Sequence, residues 1–213
     1  MSIRTIPGIR FVPESHRCHI HMLDFVVASA AVGSYFKVYH GQEVTSFAPT
    51  IISNSPQYPS MQFAGNSCGK NLSIIPHDIL TNVFVNDIRS GAIPYIEENT
   101  FRQITGCSTG AMAETLEGLA QAMFTRYYEE NLDKIIIAHG KRKGHAWPPV
   151  LQFGSVIRDA MSHGGVIHIY PGVPPISYFG LTYSAANNGR KIFHNDVTCA
   201  DIFFLMLEMD AEF

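Results

Sequence analysis

The sequence predicts a mainly α fold, a helical bundle with a small antiparallel β-hairpin addition after the third of its four main helices. Three observations point there. Apolar residues recur near the 3.6-residue period over 15–32, 109–139, 149–163 and 198–208. A glycine pair, Gly164 and Gly165, stops the third of these segments. Short runs rich in β-branched and aromatic residues follow it, with Asn188-Gly189 as a turn signal.

Composition bounds the class. The chain has 213 residues, 46% of them apolar and 15% charged, which is ample for a buried core and excludes general disorder; a single domain over 1–213 is expected. Fifteen Lys and Arg against 18 Asp and Glu leave a formal charge of −3, which excludes coating nucleic acid by bulk charge but not a local basic patch. Cys18, Cys68, Cys107 and Cys199 form no C-x-x-C pair, so neither a structural zinc ribbon nor a dense disulfide framework is expected. The N-terminus has no secretory apolar core, and the stretch 22–38 is broken by Asp24 and Lys37. These features predict a cytoplasmic protein with no membrane partner.

The elements follow in order. Ser15 is placed to cap a first helix that carries Leu23, Val26, Val27, Ala30 and Ala31. Residues 41–76 hold Pro49, Pro56, Pro59 and Pro76 among many Ser, Asn and Gly, which predicts an irregular Pro/Asn-rich arm or insertion. A weaker helical pattern, 77–89, places Ile79, Leu80, Val83, Phe84 and Ile88 on one face. The strongest helix, 109–139, carries Leu116, Ala120, Met123, Tyr127 and Ile135 at helical spacing and ends at Gly140. After the basic run Lys141, Arg142 and Lys143 comes a helix over 149–163, then predicted strands at 166–170, 176–184 and 190–194. Thr198 caps a last apolar helix running to 208.

The chemically informative stretch is IRDAMSHGG, 157–165. Asp159 and His163 are four residues apart and share a helix face, whereas Arg158 and His163 diverge by about 140°. Two such helices facing each other would bring two Arg, two His and two Asp to one cleft. An imidazole exchanges protons near neutral pH, and a guanidinium offers planar, paired donors to phosphate oxygens. The plain alternative is a solvated face for Arg158 and Asp159, with His163 capping the last carbonyls.

IRDAMSHGG resembles the Arg-x4-6-His signature of the HEPN superfamily, with Asp159 as the polar residue that follows the Arg; the likeness covers at most 109–213. The resemblance implies a helical bundle of HEPN type, dimerising to form a composite site, and in many members a metal-independent endoribonuclease of prokaryotic toxin–antitoxin or defence systems. It makes Arg158 and His163 the catalytic pair and Asp159 their support. In the implied reaction the RNA 2′-OH attacks the adjacent phosphate and leaves a 2′,3′-cyclic phosphate. A homodimer, an RNA substrate, a cognate antitoxin or regulatory protein, and no cofactor are the corresponding partners. The alternative function is a non-catalytic dimerisation or nucleotide- or RNA-binding module of the same type.

Other residues fill out this reading. Lys141, Arg142, Lys143 and Ser162 are the candidate RNA contacts, with Trp147 and Tyr127 as either base-stacking platforms or core. His16, Cys18, His19 and His21 are dense, but zinc takes four ligands and no matching second pair is present, so no metal is expected. GNSCGK, 65–70, has three residues between its glycines where a phosphate loop has four. Cys107, ahead of the 109–139 helix, is placed for a dipole-stabilised thiolate or for burial.

Overall fold

Residues 111–139 form one helix of 29 residues, about 44 Å long at 1.5 Å per residue, against which three other helices pack. The structure is a computed structural model describing residues 9–40, 61–63, 65–74, 79, 91–98, 111–140, 146–193 and 195–213. The helices are α1 (His19–His40), α2 (Ala111–His139), α3 (Pro149–Ser162) and α4 (Cys199–Asp210). On α2 the buried residues are Leu116, Ala120, Met123, Phe124, Tyr127, Tyr128, Asn131 and Ile135, the three-and-four spacing of a helix stripe facing a core. The chain is mainly α with antiparallel β structure, and none of the described helices is long and apolar enough to cross a membrane.

The helix ends match local chemistry. At α4, Thr198 Oγ1 accepts from Asp201 N while the Asp201 carboxylate accepts from Thr198 N, a reciprocal cap. At α3, Pro149 occupies the first helical position, where its missing N–H is no loss. Gly164 and Gly165 both take positive φ (70° and 78°), and Gly165 N donates to Ala160 O at 2.8 Å, closing the helix in the Schellman manner. Helix α1 starts three residues later than a Ser15 cap predicts, because two tight turns, His16 N to Pro13 O and His19 N to His16 O, occupy 13–19 first.

A larger β element was not anticipated. Strands β1 (Ile9–Val12), β2 (Met61–Phe63), β3 (Asn71–Ile74) and β4 (Ile93–Glu98) form an antiparallel sheet in the order β1-β4-β3-β2. Two of its strands come from the segment read as an irregular arm, whose residues 41–60 lie outside the described ones. Each strand is three to six residues long, too short for period-two alternation to stand out among the surrounding prolines. The sheet turns Val12, Phe63, Leu72, Ile74, Ile93 and Tyr95 inward, and Tyr95 meets Phe203 of α4 edge-on at 5.5 Å while Phe63 meets Phe25 of α1 at 5.7 Å. The 77–89 helix lies outside the described residues apart from Ile79, which is buried.

The β-hairpin after α3 is present but sits elsewhere. Strands β5 (Ile176–Tyr178) and β6 (Leu181–Tyr183) divide what reads as one strand, 176–184, turning at Phe179-Gly180 with φ of 50° and 71°. That primed turn suits a right-handed twist but normally announces itself as Asn-Gly. Phe179 tolerates its left-handed backbone because its ring packs on Phe153 and Tyr178. Asn188-Gly189 instead follows a short 3-10 turn, 185–187, and the stretches 166–170 and 190–193 are joined only by scattered bonds and bridges.

Candidate functional site

The end of α3 and the extended segment after it enclose a cleft of about 430 Å³. Gln152, Ser155, Val156 and Asp159 supply one wall, a run of three- and four-residue steps on a single helix face. The opposite wall is extended chain. Ile167 N donates to Arg190 O at 2.9 Å, and the Asn188 side chain both donates to and accepts from the backbone of Ile169. Tied this way, residues 167–170 alternate as a strand does: Ile167 and Ile169 are buried, while His168 and Tyr170 face out, Tyr170 being 72% exposed.

His163 stands beside this cleft, its ring against that of His168, one of the cleft's lining residues. As the last turn of α3 ends, the His163 Nδ1–H donates to the carbonyl oxygen of Asp159 at 2.7 Å. A carbonyl only accepts, so this tautomer leaves Nε2 as the ring nitrogen with a free lone pair. The exposed His163 ring lies on that of His168, centroids 5.7 Å apart and 26° from parallel, and His168 in turn meets Tyr170 edge-on at 5.2 Å.

Arg158 points elsewhere, as its angular offset predicts. Its Nη1 donates to Asp159 Oδ1 at 2.9 Å and its Nη2 pairs with Glu129 of α2. Partial burial on its own would lower the guanidinium pKa, but hydrogen bonds to Asp159 and Glu129 and their charge raise it overall. Arg158 is therefore held as a cation between two carboxylates. Ser162 Oγ is turned back onto Arg158 O at 3.1 Å. Lys141, Arg142 and Lys143 lie outside the described residues, as do Cys107 and His145.

Several sequence expectations change in the light of burial. Tyr127 is fully buried, its hydroxyl 3.4 Å from Met206 O and 3.5 Å from Asp210, so it is core and no stacking platform. Trp147 is 4% exposed with Nε1 donating to Gly140 O, and it forms part of the cleft floor. GNSCGK turns out to be an anion cradle filled from within. The N–H groups of Asn66, Ser67 and Cys68 donate to the buried Asp201 carboxylate at 2.9, 3.0 and 2.7 Å. Burial and the Asp201 charge push the Cys68 thiol up to about 12, which removes it as a nucleophile.

His168, Tyr170 and Glu129 are the site residues that sequence reasoning missed. The alternation V-I-H-I-Y at 166–170 carried the signal for the first two; Glu129 had none, since its role depends on how α2 crosses α3. No family model, curated protein or solved structure matches this chain.

Proposed function

We propose that this protein is a metal-independent endoribonuclease of the HEPN type, acting as a homodimer in a prokaryotic defence or toxin–antitoxin setting. The observation that supports it most is the exposed His163 imidazole, lying against the cleft residue His168 and oriented by its Nδ1–H bond to Asp159 O. In this reading His163 Nε2 takes the proton of the RNA 2′-OH as that oxygen attacks phosphorus. His168, stacked beside it, gives a proton to the departing 5′-oxygen, and the product carries a 2′,3′-cyclic phosphate. Tyr170, exposed beside the pair, offers a face for a base. Arg158 exchanges its hold on Glu129 for a phosphate oxygen, and Lys141, Arg142 and Lys143 guide the backbone toward α3.

A second reading is favoured by one observation, the two carboxylates that already engage Arg158. A guanidinium so occupied braces α2 against α3, as in a module that binds RNA or a partner protein without cleaving it.

The test is cleavage of total RNA by purified protein in EDTA, with folding checked by circular dichroism in the same buffer. Fragments ending in 2′,3′-cyclic phosphate, absent with His163→Ala, are expected. A folded wild-type dimer that leaves RNA intact would replace the nuclease with the binding module.

A further inference from the structure

The turn that leads into α1 and the last residue of α4 meet at one point. A ring nitrogen of His16, Cys18 Sγ and a carboxylate oxygen of Asp210 all lie within 4.8 Å of one another. Cys18 is fully buried and the Asp210 side chain is 4% exposed, while His16 keeps one side toward solvent. His16 Nδ1 is itself shielded from solvent and stands 3.1 Å from Asp210 Oδ2, yet it makes no hydrogen bond with any described residue. The pair is a salt bridge only if the ring is protonated; with a neutral ring and its proton on Nε2, Nδ1 and the carboxylate present lone pairs to each other. A cation between them resolves the arrangement.

We infer that His16, Cys18 and Asp210 bind one divalent transition-metal ion of the zinc class, clamping the entry of α1 to the end of α4. One imidazole nitrogen, one sulfur and one carboxylate oxygen make a borderline-soft donor set, which suits zinc and disfavours magnesium or calcium. Bonds of about 2.0–2.3 Å give ligand-to-ligand edges of roughly 3.3–3.8 Å in a tetrahedron. The 3.1 Å between His16 Nδ1 and Asp210 Oδ2 falls about 0.2 Å short of such an edge, and the sulfur, within 4.8 Å, closes the rest as the ion draws the ligands together. On binding, the Cys18 thiol releases its proton to water and the ion sheds three waters for N, S and O. The fourth position keeps a water, entering beside the exposed side of His16.

The surroundings hold Asp210 in place for this role. Arg17 N donates to Asp210 Oδ2 at 3.1 Å, and Tyr127 OH lies 3.5 Å from Oδ1. Such outer partners fix a ligating carboxylate. Among the described residues the competing cation is the Arg17 guanidinium, whose Nη1 lies 3.9 Å from Oδ1 while its Cζ sits 4.9 Å from the Phe213 ring centroid. With thiolate and carboxylate both present, the pair of negative charges faces one divalent ion and one arginine. The histidines that crowd the sequence here go elsewhere: His19 Nε2 to Gly91 O at 2.9 Å and His21 Nε2 to Glu130 at 3.2 Å. The sequence reading that expects no metal looks for a second Cys or His pair, whereas the third ligand in this proposal is an aspartate near the far end of the chain.

The test uses the full chain, freed of metal by chelation and titrated with cobalt(II) and then zinc. The expected result is one equivalent of cobalt bound with thiolate-to-metal charge-transfer absorption, displaced by zinc, and a higher melting temperature with zinc. If chelation unfolds the chain, one equivalent of zinc should restore it. His16→Ala, a partly exposed site that tolerates truncation, and Cys18→Ser should each weaken binding beyond the roughly 10- to 100-fold that loss of an outer partner brings. Absence of the thiolate band from folded wild-type protein overturns the site, as does cobalt or zinc binding that survives both substitutions undiminished.

Discussion

The imidazole rings of His163 and His168 lie 5.7 Å apart and 26° from parallel, one at the end of α3 and the other on the extended chain that follows it. Two imidazoles are thereby set side by side by a glycine turn of only two residues. If they act as base and acid, His163→Ala and His168→Ala should each lower RNA cleavage by about 10²–10⁴-fold. Both side chains are exposed, so the melting temperature should not change. Gel assays of cleavage together with thermal melts check both statements; equal activity in the two variants and wild type would remove the pair from the chemistry.

Arg158 and Glu129 should couple energetically. Their side chains are 27% and 44% exposed, so solvent screening limits the pair to about 1 kcal/mol. A double-mutant cycle of Arg158→Ala and Glu129→Ala in urea unfolding measures it. If Arg158 also serves the phosphate, Glu129→Ala should keep or raise cleavage while Arg158→Ala abolishes it; a brace alone predicts that the two variants behave alike.

Stability should fall with acid through His21. This ring is buried against Tyr127, edge-on at 5.8 Å, and burial lowers its pKa from the ordinary 6.5 despite the opposing charge of Glu130. It is therefore neutral in the fold and donates Nε2–H to Glu130, whose own pKa is held down first by Arg126. A folded pKa below the unfolded one means that the contribution is complete above pH 6.5 and is lost as the pH drops toward the folded value. Melting temperatures between pH 8 and pH 5 should decline in wild type, and the decline should be shallower in His21→Phe.

Gly154 sets the approach of α3 to α4. A Cβ there would stand 2.5 Å from Met209 Sδ, inside a fully buried contact. Gly154→Ala should destabilise the fold by about 1–3 kcal/mol through overpacking. Because the clash is with the Met209 side chain, Gly154→Ala should cost less in a Met209→Ala background than in wild type; denaturant midpoints of both single variants and the double variant test this.

Asp201→Asn should be among the most damaging single changes. The buried carboxylate accepts from the N–H groups of Asn66, Ser67, Cys68 and Thr198 and from two hydroxyls, and an amide nitrogen can accept from none of them. A loss of about 3 kcal/mol is expected from urea titration. Amide exchange in 66–68 should accelerate with it, because among the described residues Asp201 is the anion these amides bond.

What the sequence could say about this chain was whatever a single segment carries within itself. The stripe of α2, the Pro start and glycine stop of α3 and the reciprocal cap at Thr198 are all local, and helices 111–139, 149–162 and 199–210 fall close to where spacing alone placed them. The divergence of Arg158 from His163 was legible for the same reason, since 100° per residue needs no partner.

Everything that depends on which segments meet was decided by the tertiary structure. Three- and four-residue strands carry too few alternations to be read, and only pairing across the β1-β4-β3-β2 sheet makes them strands. Arg158 became a bridged cation because α2 crosses α3 at Glu129. GNSCGK became the seat of Asp201, over 130 residues away along the chain. His16, Cys18 and Asp210 meet although 193 positions separate Arg17 from Asp210, because burying the apolar faces of α1, α2 and α4 together leaves those ends at one place. Periodicity records what a segment must bury, and only the packed chain determines which side chains that burial brings within reach of one another.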